Sequence, residues 1–340
     1  MRRGRLLASG YIALDAITYD GAVTHRAGGT AANVAANLAF LGWRTAVAGV
    51  IGADAAGRRV AAELRESGVD TTSLASRRDL ATPVVVQTIT SRGHRFAFSC
   101  PECGSGTAKY RAPSSDAAGE IPATLWGEVF FFDRANAYTV SVAERAKSAG
   151  ARVVFEPSTL GHATDFRAAI AVADIVKASE QRLQQFRAAF RAMRRDQIQI
   201  VTRGANGASM RIGGTWRAFP AFPAKLVDAA GAGDWTTAGF LCALPHRQPL
   251  SEATVLISAL SFGQALAAES CGFVGARGMS ECCTRDDVLR RVGVAMAGGL
   301  CPEPPRPGSK QSRRSRGTGC PVCLRVSENA GVGRRHSPAR

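Results

Sequence analysis

The stretch VDAAGAGDWTTAGF, residues 227 to 240, sets Gly231, Ala232 and Gly233 directly before an acid, Asp234, and a run of helix formers. Glycines carry no Cβ, so backbone N–H groups can converge there. The first turn of a helix leaves those groups unpaired, with partial positive charge behind them. An anion such as a phosphoryl oxygen fits that place. An aspartate beside it could take a proton from an attacking hydroxyl, as phosphoryl transfer requires. The same residues also make an ordinary N-cap aspartate, and spacing alone leaves both readings open.

A second glycine turn lies about 200 residues upstream, in RAGGTAANVAANLAFLGW (26 to 43), where Gly28 and Gly29 open an Ala-rich helix pattern. Around it the chain alternates. Residues 5 to 16 read as a strand and 45 to 52 as a buried strand. DAAGRRVAAELRESGVDTTSL (54 to 74) reads as an amphipathic helix with a stop at Gly68. Further strands are expected at 128 to 133, 151 to 158, 173 to 179 and from 197, with helices at 140 to 150, 251 to 270 and 286 to 296. Such alternation predicts an α/β fold, a mostly parallel sheet covered on both faces, with ligands at the carboxyl edge of its strands. Residues 82 to 99 break the rhythm. Two β-rich runs flank SRGH, so a lid hairpin insertion is expected at about 82 to 112, with His94 at its solvent-exposed tip.

The 340 residues suffice for one large core. No apolar run reaches the ~18 residues of a membrane span, and the basic amino terminus is interrupted by Asp15, which argues against a signal peptide. Part of the formal charge of +16 sits in residues 303 to 340, which hold nine Lys or Arg against two Glu. That stretch is rich in Pro, Gly and Ser. Residues 301 to 340 are therefore expected as a basic, disordered tail, and its position outside the core argues against nucleic acid as the main partner. Nine cysteines without a convincing signal peptide point to reduced thiols in the cytoplasm.

Two motifs in this order resemble the signatures of PfkB-type carbohydrate kinases of the ribokinase family. GGTAANVAANLAFLG, followed by GVIGADAAGRRVAAELRESGVDT, matches the amino-terminal one, and DAAGAGDWTTAGFL the carboxy-terminal one. The resemblance implies a ribokinase-like three-layer α/β/α kinase domain over residues 1 to 300, a small β lid, and transfer of the γ-phosphoryl of ATP, with Mg²⁺, to a hydroxyl of a sugar or related small molecule. It implies Asp234 as catalytic base and the amides around Gly231, Ala232 and Gly233 as anion hole. Asp15, Gly28, Gly29 and Asn33 would bind substrate hydroxyls, each of which needs both a donor and an acceptor. Lys177, Ser179, Thr202 and Gly204 would lie near the nucleotide, and Asp228 at a monovalent cation. A homodimer could form through the lid, which would cover its β edges. A nucleoside kinase of the same fold and a non-catalytic ligand-binding homologue are the alternatives.

The chain departs from the pattern where an Asn-x-x-Glu metal-linked motif would fall, at Ser179 to Arg182, leaving Glu180 as a stand-in. Trp235, bulky beside the base, is expected to pack as core. FEPS (155 to 158) and DRAN (133 to 136) also differ from common sugar kinases. CPECG (100 to 104) and CPVC (320 to 323) could each bite a zinc ion, but more than 200 residues and a tail separate them, which argues against a shared site. Cys100 and Cys103 could instead join Cys271, Cys282 or Cys283.

Overall fold

The computed structural model describes residues 4–90, 93–245, 250, 252–298 and 320–325. The chain begins with β1 (Arg5–Ser9), β2 (Ala13–Tyr19) and β3 (Ala22–Gly28), then α1 (Thr30–Phe40), β4 (Arg44–Gly52), α2 (Ala55–Glu66) and β5 (Val69–Arg77). The hairpin strands β6 (Val84–Thr90) and β7 (Gly93–Ala97) follow. Next come β8 (Val129–Phe132), α3 (Ala137–Ser148), β9 (Arg152–Phe155), α4 (Ala163–Val172), β10 (Ile175–Ser179), α5 (Glu180–Leu183) and α6 (Arg187–Arg191). The last elements are β11 (Ile198–Thr202), β12 (Ala208–Ile212), β13 (Thr215–Phe219), α7 (Ala232–Ala243), α8 (Ala253–Ser270), α9 (Gly278–Cys282) and α10 (Arg285–Met296).

Among the described residues, nine strands form the main sheet in the order β13-β12-β11-β10-β9-β8-β1-β4-β5. The pairs from β5 to β11 are parallel, and β12 and β13 close one side antiparallel. Its centre is apolar on both faces because alternate side chains serve opposite layers. In the run Phe130-Phe131-Phe132, the middle ring joins the core under α1, α7 and α8, while its neighbours join the core under α3 and α4. Helix α7, which carries Asp234, approaches α8 closely: a Cβ on Gly239 would lie 2.7 Å from Gly263 Cα.

The second sheet has the order β3-β2-β6-β7, four strands among the described residues. Residues 5 to 16 are accordingly two strands in different sheets, divided at Gly10 (φ +135°), where a Cβ would collide with Asp133 Oδ1. The helix expected over 54 to 74 stops at Glu66, and the β-branched residues after Gly68 form β5 instead. Helix α2 starts where Asp54 accepts the Gly57 N–H at 2.7 Å, and α3 where Asn136 and Thr139 cap each other's amides.

Most of the expected disordered tail lies outside the described residues. Residues 320–325 do not stand free of the fold: Val322 and Cys323 are buried, and His25 Nε2 on β3 lies 2.8 Å from the Val322 carbonyl oxygen. Among the described residues, no helix is long and apolar enough to cross a membrane.

Candidate active site

The loop before α7 and the carboxyl ends of the parallel strands meet at one edge of the main sheet. Gly231, at φ +74°, is the α7 N-cap, and its bare Cα faces Ala276, whose Cβ would be 2.4 Å from a methyl group there. The Ala232 N–H turns back to Ala229 O at 3.2 Å. The amides of Gly233 and Asp234 belong to the first helical turn, where no carbonyl four residues back is available. Trp235 is fully buried, donates to Ala276 O at 2.9 Å and meets Phe40 edge-on, so it packs as core.

Asp234 is buried, and its Oδ2 accepts a 2.7 Å hydrogen bond from Asn33 Nδ2 on α1. Burial pushes its carboxyl up to about 7, and the Glu156 charge adds to this. The Asn33 hydrogen bond, Lys177 and Arg182 act in the opposite direction. Asn33 Oδ1 is buried and finds no hydrogen-bond partner among the described residues.

Beneath the helix start lies a buried polar triad. Lys177 Nζ pairs with Glu156 Oε1 at 2.5 Å and donates to the Gly233 carbonyl at 3.1 Å, while Thr237 Oγ1 donates to Glu156 Oε2 at 2.7 Å. Lys177 is thus turned into the protein, against the loop before α7. Glu156 was missed from sequence. It follows β9 in FEPS, and a lone acid before a proline carries no spacing that marks a site. Ser179 caps α5 through the Arg182 N–H at 3.4 Å. Thr202 ends β11, and Gly204 follows at φ +55° with open space where a Cβ would stand. Glu180, the expected metal stand-in, is exposed and pairs with Arg203 at 2.9 Å.

On the other side of Asn33, Asp15 on β2 is buried against Gly28; a Cβ on Gly28 would lie 2.1 Å from Asp15 Oδ2. Gly29 (φ +91°) presses on the Tyr11 carbonyl, 2.2 Å from where its Cβ would sit. Burial raises the Asp15 carboxyl to about 7, although Arg277, a Gln87 hydrogen bond and His94 favour its charge. His94 is no exposed tip. It lies on β7, stacks on Phe96 and pairs through Nδ1 with Asp228 Oδ1 at 2.8 Å; its buried Nε2 has no partner among the described residues. Strand β7 begins at Gly93, inside the stretch expected as the turn, and so delivers this ring to the loop before α7.

Asp228 also accepts from the Ala230 N–H at 2.9 Å and the Gly275 N–H at 2.8 Å. Burial alone would raise its carboxyl, but His94 and these amides hold it below the usual carboxylate range. A further cluster borders Gly29 through Tyr11: the Arg134 guanidinium lies 4.6 Å from the Tyr11 ring centre and 5.7 Å from that of Tyr110, and pairs with Asp133 at 2.8 Å. DRAN and FEPS meet here, since Arg134 also reaches the Ser158 hydroxyl.

The pfkB family carbohydrate kinase pattern matches residues 8–282. The chain belongs to this family. Its members are phosphotransferases whose acceptor is an alcohol group. Fructokinase of Vibrio alginolyticus is 28% identical over 299 residues, covering 78% of this chain and 91% of that one. Aminoimidazole riboside kinase of Salmonella typhimurium is 30% identical over 240 residues, 64% of this kinase and 73% of the relative. Solved structures share the ribokinase-like fold. Aminoimidazole riboside kinase from Salmonella enterica, complexed with aminoimidazole riboside and an ATP analogue, superposes with TM-score 0.66 at 22% identity, over 85% of this kinase and 99% of that chain. A double mutant of fructokinase from Vibrio cholerae with fructose, ADP and potassium ion bound does so with TM-score 0.66 at 24% identity, over 81% of this kinase and 95% of that chain.

Proposed function

We propose that this kinase transfers the γ-phosphoryl group of ATP to a hydroxyl of a sugar or sugar-like small molecule, with Asp234 as general base. The observation that carries the proposal is the Asn33–Asp234 hydrogen bond, which joins the polyol-reading residues to the helix start. A carboxyl brought to about 7 can be ionised near neutral pH and still hold a proton well enough to take one from an alcohol. The acceptor hydroxyl lies against Asp234 in this reading. The Gly233 and Asp234 amides and the α7 dipole face the charge developing on the transferred phosphoryl. Asn33 Oδ1 and His94 Nε2, both buried and without a hydrogen-bond partner among the described residues, together with Asp15, face the acceptor's other hydroxyls. Lys177 acts through the Gly233 carbonyl and Glu156, as a positioning residue rather than a phosphate ligand. Ser179, Thr202 and Gly204 line the nucleotide side.

The Ser179 to Arg182 segment does not fit a magnesium ion, because its one carboxylate is committed to Arg203 at the surface. Asp228 already serves His94 and two amides, so a monovalent cation there would have to share those oxygens. The Phe96 side chain, 56% exposed on the edge strand β7, offers a face for a second copy of the chain. The free cysteines among the described residues suit a cytoplasmic location.

A nucleoside-like acceptor is the second reading. The Tyr11 and Tyr110 rings around Arg134, next to Gly29, are aromatic surface of the kind that stacks on a heterocycle. The deciding experiment measures ATP-dependent phosphorylation of fructose, other ketoses and aldoses, sugar acids, aminoimidazole riboside and purine and pyrimidine nucleosides. Turnover of a sugar supports the first reading and turnover only of ribosides the second. Nucleotide binding without turnover of any acceptor refutes both.

A further inference from the structure

CPECG and CPVC, which sequence separation argued should not share a site, meet in the fold. Cys100 Sγ lies 3.7 Å from Cys320 Sγ and Cys103 Sγ lies 3.5 Å from Cys323 Sγ. All four sulfurs fall within 4.8 Å of one another. Cys271, Cys282 and Cys283, the partners considered from sequence, do not belong to this cluster.

The two halves are built alike. In the first, the Cys100 N–H donates to Ser105 O at 2.8 Å and the Gly104 N–H returns to Cys100 O at 2.9 Å. In the second, the Cys320 N–H donates to Arg325 O at 2.8 Å and the Leu324 N–H returns to Cys320 O at 2.9 Å. Both turns finish in the left-handed region, Gly104 at φ +71° and Leu324 at φ +58°. A leucine is strained there, so surrounding contacts must hold the turn in shape. Each Cys-Pro-x-Cys turn therefore presents its two thiols on one side, and the two turns face each other.

We propose that Cys100, Cys103, Cys320 and Cys323 bind one structural zinc ion, which fastens residues 320–325 to the four-stranded sheet beside the acceptor site. Tetrahedral zinc with bonds of about 2.3 Å to sulfur requires sulfurs about 3.8 Å apart, within the spacing the thiols already have. Four thiolates fill the coordination sphere, so the ion is structural and leaves no position for substrate. An iron–sulfur cube would need to seat its own irons and sulfides between the cysteines, and sulfurs this close leave no room for them. Binding is an exchange of protons for metal: four thiols and Zn²⁺ give a tetrathiolate zinc centre and four protons, with no change of oxidation state. The Ser105 hydroxyl, 3.3 Å from Cys103 Sγ, can then donate to that thiolate and fix its direction.

The position gives the ion a consequence for the lid. Cys100 follows β7, the strand that holds His94 against Asp228, and Val322 in the second turn is anchored by His25 on β3. The centre thus ties the two outer strands of the lid sheet, β3 and β7, through one short turn of the carboxy-terminal segment.

The test is metal analysis by mass spectrometry on the full chain, purified with reductant and without chelator. About one equivalent of zinc per chain is expected. A mercurial that blocks thiols should release that equivalent to a chromogenic chelator, a readout that does not depend on any variant folding. The double variant C320S/C323S, which leaves the kinase fold and lid strands unaltered, should lose the zinc and melt at a lower temperature. Zinc below about a tenth of an equivalent overturns the proposal, as does iron in its place. Disulfides between Cys100 and Cys320 or between Cys103 and Cys323 under these conditions, or full zinc retention by C320S/C323S, overturn it as well.

Discussion

Asn33 Nδ2 donates a 2.7 Å hydrogen bond to Asp234 Oδ2, so two glycine-opened helices whose residues lie 201 positions apart converge on a single carboxylate. That bond stabilises the charged form of Asp234, while burial and Glu156 oppose it. The balance between them sets the pH at which the Asp234 carboxyl ionises.

Asp234→Asn keeps the shape of the side chain and removes its basicity. With the accepted substrate, kcat should fall by about 10²- to 10⁴-fold, the usual range for a general base, while nucleotide affinity is retained. In the wild type, kcat/KM should rise with pH along an acid limb centred near the value of about 7 given to Asp234. Phosphorylation by the variant at near wild-type rate would refute the assignment.

Two substitutions should move that limb in opposite directions. Asn33→Ala removes a hydrogen bond that favours the carboxylate, so the limb shifts to higher pH. Glu156→Gln removes a neighbouring negative charge, so it shifts to lower pH. pH–rate profiles of the two variants read this directly; movement in the same direction would show that these groups do not tune Asp234.

Stability should carry the same charges with a definite sign. Asp15 and Asp234 have folded values raised to about 7 from the ordinary 3.8. Their contribution is therefore complete below about pH 4 and is lost as pH rises through about 7. Melting temperatures of the ligand-free wild type and D15N/D234N from pH 5 to 8 test it: the wild type's advantage should shrink as pH rises. Asp228, held below its ordinary value, contributes in the opposite sense, and its share is lost on acidification.

Gly231 and Gly233 should respond differently to alanine. Gly231→Ala forces a side chain into φ +74° and onto Ala276, at an expected cost of about 2–4 kcal/mol measured by denaturant unfolding. At Gly233 the nearest atoms to an added methyl are Lys177 Nζ at 3.7 Å and Glu156 Oε1 at 3.9 Å, so stability should hold while turnover drops. Equal losses of stability would contradict the geometry.

His94→Ala removes the lid's 2.8 Å hydrogen bond to Asp228. KM for the acceptor should rise by about tenfold, the scale of one hydrogen bond to a charged group, with a smaller change in kcat. Steady-state kinetics over acceptor concentration distinguish this from a general loss of activity.

Much of the architecture was legible from local pattern. Alternating apolar runs mark the parallel strands, and paired glycines mark the helix starts, because backbone geometry at those turns excludes other side chains. The pattern failed where pairing decides: Ala13–Tyr19 has the composition of a strand but no mark of which sheet it joins, and β5 looked like a continuation of α2. Glu156 was missed because a single acid after a strand becomes informative only when Lys177 and Thr237 are brought to it. His94 at a hairpin looks like a tip until the strand length is known.

The sequence by itself determined the family, the compact turn that delivers Asp234 to a helix start, and the two Cys-Pro-x-Cys turns, since each is written within a few consecutive residues. Only the tertiary structure decided that Asn33 grips Asp234, that Lys177 turns inward to Glu156, that His94 latches the lid to Asp228, and that the cysteine turns face each other. Those relationships join residues from 21 to 220 positions apart. Packing of the intervening chain, and no local spacing, sets their distances.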